Sequence, residues 1–128
     1  MKTENINEMI NGYKEAFIFA ESASYYNGDY IPDLAVFDLS SQALDRIADD
    51  VTAFINANLT AIFEAMSNGA TANQIGNDLH FTRNGHGVGF WDRPEIYTPN
   101  TANRLTSAAE VMPNVTAYIG EDNLIYIE

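Results

Sequence analysis

Apolar residues recur every three or four positions in three segments of this sequence, and this spacing is typical of amphipathic helices. It predicts helices over about residues 3–24, 40–67 and 101–112. The second of these is either one helix or two helices divided near its middle. An Asn-Gly pair and a proline predict a loop or turn over residues 25–33. The first 70 residues are therefore expected to be mainly helical.

The period of the pattern changes from 3.6 to 2 in the second half of the chain, which indicates β-strands. Residues 78–92 alternate around Asn84-Gly85, and an Asn-Gly pair between alternating runs is a strong signal for a β-hairpin. Residues 115–127 predict a second hairpin. We therefore expect a single α+β domain over residues 1–128, with the helices packed on a four-stranded antiparallel sheet made of the two hairpins.

Size and composition exclude several classes of protein. A chain of 128 residues is long enough for one domain with one hydrophobic core. The absence of cysteine rules out disulfides and thiolate metal sites. No apolar run approaches the roughly 18 residues that a membrane crossing needs, and the N-terminus lacks an apolar signal core. The expectation is a soluble cytoplasmic protein that has no membrane partner.

The net charge of −12, from 18 acidic against 6 basic residues, disfavours direct binding to nucleic acid, because such binding needs Lys and Arg to neutralise phosphates. Residues 15–50 hold eight acidic residues against Arg46 alone. This charge either keeps a small protein in solution or attracts a basic partner by imitating nucleic acid. The residues of this candidate partner-binding surface are Glu21, Asp29, Asp33, Asp38, Asp45, Asp49 and Asp50.

Rare residue types concentrate in residues 78–93, which hold the only tryptophan and both histidines. On a regular return strand, three glycines would share one face with the tryptophan, and such bare backbone is expected to be covered closely by a helix, a ring or a ligand. An anion could be held there by Arg and His while Trp stacks on it. This second candidate site consists of Arg83, His86, Trp91, Asp92 and Arg93, unless these charges simply pair with each other.

The signals for metal binding and catalysis are weak. His80 and His86 with Asp78 or Asp92 could form a mixed nitrogen and oxygen metal site, but their spacing matches no recognised motif. The glycine spacing fits neither a dinucleotide-binding fingerprint nor a P-loop. No nucleophile with a base and no carboxylate pair has a diagnostic arrangement. We expect no catalytic residue, no metal and no cofactor. Instead, we expect a histidine to be hydrogen-bonded to a neighbouring carboxylate.

The segment Phe81-Thr-Arg-Asn-Gly-His-Gly-Val-Gly-Phe-Trp-Asp-Arg93 resembles a motif of small acidic proteins encoded by bacteriophages and prophages. The similarity continues through Asn103-Arg-Leu-Thr106 and Tyr118-Ile-Gly-Glu-Asp-Asn-Leu-Ile-Tyr126 and covers about the last 55 residues. Departures from the family pattern include Val88 and Asn123. The resemblance implies a phage context and the host cytoplasm, but no particular activity.

Three functions are consistent with these observations. The leading hypothesis is a non-enzymatic phage accessory protein that binds and modulates a basic host protein, in concrete form a counter-defence inhibitor that mimics nucleic acid. The second is a small ligand-binding or catalytic domain that uses the glycine-rich segment. The third is a structural or self-assembling protein, for which a homodimer would be the simplest form.

Overall fold

The computed structural model describes residues 1–26 and 28–128, in which five α-helices and five short strands are found. In chain order these are α1 (Thr3–Glu21), β1 (Ser24–Tyr26), β2 (Asp29–Ile31), β3 (Asp38–Leu39), α2 (Ser41–Ala57), α3 (Leu59–Ser67), α4 (Ala72–Arg83), α5 (Pro99–Glu110), β4 (Ala117–Ile119) and β5 (Leu124–Ile127). Short 3₁₀ turns cover Leu34–Val36 and Phe90–Asp92.

The expected four-stranded antiparallel sheet is wrong. The strands form two small sheets, one of β1 and β2 and the other in the order β3-β5-β4. Strand β5 pairs antiparallel with β4 but parallel with β3, which comes from the N-terminal half of the chain. Of the two predicted hairpins, only the one over residues 115–127 exists, and residues 78–92 form a helix end, a loop and a 3₁₀ turn.

The error at residues 78–92 has a physical cause, because an Asn-Gly pair is favoured both in β-hairpin turns and at the C-terminal ends of helices. Thr71 caps α4 and forms a reciprocal capping box with Gln74. Asn84 ends the helix, and Gly85 follows with a positive φ of 66°. The amides of Gly85 and His86 return to the carbonyls of Thr82 and Phe81, which is the Schellman ending of a helix. The pair therefore stops a helix here and does not turn a hairpin.

The other predicted helices are present with shifted ends. The first ends at Glu21 and not near residue 24. The second is divided at Asn58 into α2 and α3, and the third runs from Pro99 to Glu110. The loop or turn predicted over residues 25–33 instead includes most of two short antiparallel strands, β1 and β2. Asn27 of the predicted Asn-Gly turn lies outside the described residues.

The core lies between α1, α4 and the remaining helices. Helix α1 runs against α4, and their backbones meet at Gly12 and Gly76. The largest fully buried side chains include Tyr13, Phe17 and Phe90. Among the helices of the described residues, none combines the length and the apolar character that a membrane crossing requires.

Candidate functional site

Both histidines of the chain bind the same carboxylate. The Oε2 atom of Glu21 lies 2.7 Å from Nε2 of His80 and 2.6 Å from Nε2 of His86. Glu21 is the last residue of α1, and His80 lies in the last turn of α4. The C-terminal ends of two helices therefore meet at one hydrogen-bonded cluster, the His–Glu–His cluster of Glu21, His80 and His86.

The Schellman ending of α4 is what places His86 in this cluster. It turns the chain back, so that the His86 ring packs edge-on to Phe81 at a centroid distance of 6.3 Å. The same turn brings the rings of His80 and His86 to a centroid distance of 5.7 Å. Two histidines that are six positions apart in sequence therefore come together across a helix end.

Asn84 fixes this turn to the rest of the fold. Its side-chain amide donates to the carbonyl of Val115 at 2.8 Å and to Oε2 of Glu21 at 3.2 Å. Its Oδ1 atom accepts from the amide of Val115 at 3.0 Å. All the polar atoms of this side chain are thus used to hold the cluster and the start of the C-terminal segment in place.

The electrostatics of the cluster follow from burial and hydrogen bonding. Burial raises the pKa of the Glu21 carboxyl, but the hydrogen bonds from His80 and His86 outweigh it and leave the pKa below the ordinary value. Burial lowers the pKa of His80, and the Glu21 carboxylate offsets this only in part. Glu21 is therefore an anion that accepts from a neutral His80, whose proton is on Nε2.

The two rings differ in exposure. The His80 side chain is fully buried, and its Nδ1 atom has no hydrogen-bond partner among the described residues. The His86 side chain is 30% exposed. Solvent and small solutes therefore reach the cluster from the side of His86.

Arg83, which was expected to hold an anion, is paired within the fold. Its guanidinium is buried and contacts Oδ2 of Asp50 at 2.9 Å, the carbonyl of Pro113 at 2.8 Å and the hydroxyl of Tyr13 at 3.2 Å. Burial raises the pKa of Tyr13 to about 12, while the nearby Arg83 charge opposes this rise. Arg83 thus joins α4 to α1, α2 and the segment after α5.

Arg93 also has an internal partner. Its Nε atom donates to Oδ2 of Asp78 at 3.0 Å, and the hydroxyl of Tyr97 donates to the same oxygen at 2.9 Å. Burial raises the pKa of Asp78, and the bonds from Tyr97 and Arg93 offset this only in part. Burial and the Asp78 charge raise the pKa of Tyr97 as well. This second network fixes the loop after the glycines to α4.

The close cover predicted over three glycines occurs at one of them. A side chain at Gly89 would collide with the Thr82 hydroxyl and the Trp91 ring, so the close neighbours are a helix and a ring. Gly85 and Gly87 face open space. Asp92 accepts a hydrogen bond from the Gly89 amide at 2.8 Å, and Trp91 remains 44% exposed. Of the five expected ligand-site residues, Arg83 is buried, Trp91 and Asp92 are exposed, and the side chains of His86 and Arg93 are partly exposed.

Two of the seven acidic residues expected on the partner-binding surface have internal roles. Glu21 is buried in the His–Glu–His cluster, and Asp50 pairs with Arg46 and Arg83 at 2.9 Å each. The other five are exposed, and none takes part in an ion pair within the described part of the chain. We define the acidic surface as these five residues: Asp29, Asp33, Asp38, Asp45 and Asp49.

Sequence reasoning named the wrong carboxylate for the histidines. It considered Asp78 or Asp92, whereas the partner is Glu21, 59 positions before His80. A signal was present, because Met9, Tyr13 and Phe17 form a buried stripe at four-residue steps and Glu21 is its next member. An acidic residue on the apolar stripe of a helix needs a buried partner.

Comparisons of the chain with protein-family models, with curated proteins and with solved structures gave no match.

Proposed function

We propose that this protein is a non-enzymatic accessory protein that binds a host protein through the acidic surface. The observation that carries the proposal is that Asp29, Asp33, Asp38, Asp45 and Asp49 are exposed without an ion-pair partner in the described part of the chain. Exposed charges of one sign create a potential that attracts and orients an oppositely charged partner. The partner is a protein with a basic surface.

The form of the acidic surface supports mimicry of nucleic acid. Asp45 and Asp49 lie one helical turn apart on α2, on the side that faces away from the buried Ala43 and Ile47. Two carboxylates on a rigid helix present fixed negative charges, as the phosphates of a duplex do. A nucleic-acid-binding host protein would contact these carboxylates with its own Lys and Arg side chains.

The biological setting in this proposal comes from the resemblance to phage and prophage proteins. A phage protein of this kind acts in the host cytoplasm, and an inhibitor of a host nucleic-acid-binding defence protein is the concrete form. Direct binding to nucleic acid is not part of the proposal, since a chain with a net charge of −12 is repelled by phosphates.

The ligand-binding alternative uses Arg and His side chains of the glycine-rich segment to hold an anion. Arg83 and Arg93 are engaged by carboxylates within the fold, which disfavours it, although clefts lie beside both residues. Self-assembly into a homodimer or a larger oligomer remains the third alternative, and light scattering separates it from the first, because a strict monomer excludes it.

The experiment that tests the proposal is a pull-down from host lysate at increasing salt, followed by competition with duplex DNA. We expect a host protein to be retained at low salt, released as salt screens the contacts, and displaced by the DNA. A failure to retain any protein at low salt, or retention that ignores both salt and DNA, would contradict the proposal.

A further inference from the structure

We propose that the His–Glu–His cluster binds a divalent transition-metal ion, with Zn²⁺ as the ion whose chemistry fits best. One donor atom each from Glu21, His80 and His86 lies within 4.8 Å of the other two. These atoms are already gathered together, because both Nε2 atoms contact the same carboxylate oxygen. The site is independent of the acidic surface.

The donor set selects the class of metal. Two imidazole nitrogens and one carboxylate oxygen suit Zn²⁺ and its transition-metal neighbours, whereas Mg²⁺ and Ca²⁺ prefer oxygen alone. Three protein ligands leave one tetrahedral position for water, and the exposed side of His86 gives that water access. No cysteine is needed for this set, which is consistent with a chain that has none.

Metal binding requires the three donor atoms to move to nearly equal separations. The present contacts of 2.6 and 2.7 Å are hydrogen bonds from each imidazole to Glu21. Bonds of roughly 2.0–2.1 Å to a tetrahedral Zn²⁺ separate the donor atoms by about 3.3 Å. The two oxygen–nitrogen distances therefore lengthen by about 0.6–0.7 Å, and donor atoms that lie up to 4.8 Å apart approach each other, through rotation of the Glu21 carboxylate and movement of the His86 ring, which is 30% exposed.

Metal binding also requires a change of proton position at His80, and it leaves the buried Nδ1 atom without a hydrogen-bond partner in the described residues, as it is now. The metal uses the lone pair of Nε2, so the single proton of the neutral ring moves from Nε2 to Nδ1. Because Nδ1 of His80 has no partner among the described residues, this change breaks no hydrogen bond other than the one to Glu21. Asn84 continues to donate to Glu21 and orients the carboxylate, as the outer partners of metal ligands commonly do.

Metal binding would join the end of α1 to the end of α4 and the loop that follows it. The three ligands are positions 21, 80 and 86, so the complete site exists only in the folded chain. An ion that binds only the folded state raises its stability by mass action. The expected consequences are therefore a bound ion and a higher melting temperature.

The test uses the full chain without a polyhistidine tag, titrated with Zn²⁺ by calorimetry and with Co²⁺ by visible absorption. The chain has only two histidines, so imidazole coordination reports on this site alone. We expect one ion per chain, Co²⁺ bands of a low-symmetry four-coordinate site, and an increase in melting temperature. His86→Gln should weaken binding at least tenfold and abolish the increase in melting temperature.

The control variant is Glu15→Gln, which removes an exposed carboxylate of the same helix that lies outside the cluster. It should bind both ions as the unmodified chain does. His86→Gln is chosen because His86 is partly exposed, and a folded variant is verified by circular dichroism before titration. The absence of saturable binding of either ion, or equal binding by His86→Gln and the unmodified chain, overturns the proposal.

Discussion

Gly12 on α1 and Gly76 on α4 bring two helices into backbone contact. A Cβ atom at Gly12 would lie 2.1 Å from the carbonyl oxygen of Asn73, and one at Gly76 would lie 2.0 Å from that of Met9. The Asn77 side chain donates to the carbonyl of Gly12 at 2.6 Å across the same crossing. Glycine is thus required at two helical positions where sequence alone indicates only a loss of helix propensity.

The close crossing predicts that Gly76→Ala destabilises the protein. In an exposed helix interior this change stabilises by up to about 1 kcal/mol. Here the new methyl group meets backbone that cannot move alone, and such overpacking typically costs about 1–3 kcal/mol or more. Urea unfolding followed by circular dichroism measures the difference. An increase in stability would show that α1 and α4 are further apart than described.

The Arg83 network predicts a contrast between two adjacent aspartates. Asp50→Asn leaves the buried Arg83 guanidinium without its counter-charge, so the free energy of unfolding should fall by about 2–3 kcal/mol. Asp49→Asn removes an exposed carboxylate and should change stability by no more than about 0.5 kcal/mol. Both variants are compared by denaturant unfolding, and equal effects would refute the structural role of Asp50.

The helix ending at Gly85 predicts an order of stability among substitutions. Its φ of 66° is costly for a residue with a Cβ atom, so Gly85→Ala should destabilise by roughly 1–2 kcal/mol. Gly85→Asn should cost less, because asparagine tolerates the left-handed conformation. If alanine is tolerated at least as well as asparagine in thermal unfolding, the Schellman ending is incorrect.

Because the pKa of Tyr13 is raised in the folded protein, we expect the protein to lose stability in alkali. A tyrosine in the unfolded chain ionises near pH 10, whereas the pKa of Tyr13 in the folded protein is raised to about 12. The unfolded state therefore loses the proton first, and the stability contributed by Tyr13 is complete below about pH 10 and is lost as the pH rises towards 12.

The measurement is the free energy of unfolding against pH, compared between the unmodified chain and Tyr13→Phe. The variant should show a shallower fall over this window, because one titrating group is gone. Tyr25→Phe, which removes a hydroxyl from an exposed ring, is the control. Identical slopes for Tyr13→Phe and the unmodified chain would contradict the buried environment of Tyr13.

Helices with a long apolar stripe could be predicted from the sequence, as α1 and α2 show. Their periodicity extends over several turns, and no strand pattern competes with it. Helix α4 could not be recognised in this way, because its buried face contains His80, Arg83 and Gly76, which hydrophobicity does not identify as core. The Thr71 and Gln74 capping box was the available signal for its start.

The residues of the candidate site were predicted better than their contacts. His86 was named from sequence, but its partner Glu21 belongs to a distant helix, and tertiary packing alone brings the two together. The same holds for the parallel pairing of β3 with β5, whose two strands are separated by four helices. Local patterns carry no information about such long-range pairings.

The most direct test of the central claim is a quantitative pull-down with three proteins that have defined charge. One variant replaces the five residues of the acidic surface with Asn, and a matched variant replaces the exposed Glu4, Glu8, Glu95, Glu110 and Glu121 with Gln. Each removes five of the 18 acidic side chains, so the net charges of the two variants are equal. We expect the unmodified chain and the Gln variant to retain the same basic host protein, and the Asn variant to lose it. Equal retention by all three, or equal loss from both variants, would contradict a specific role for the acidic surface.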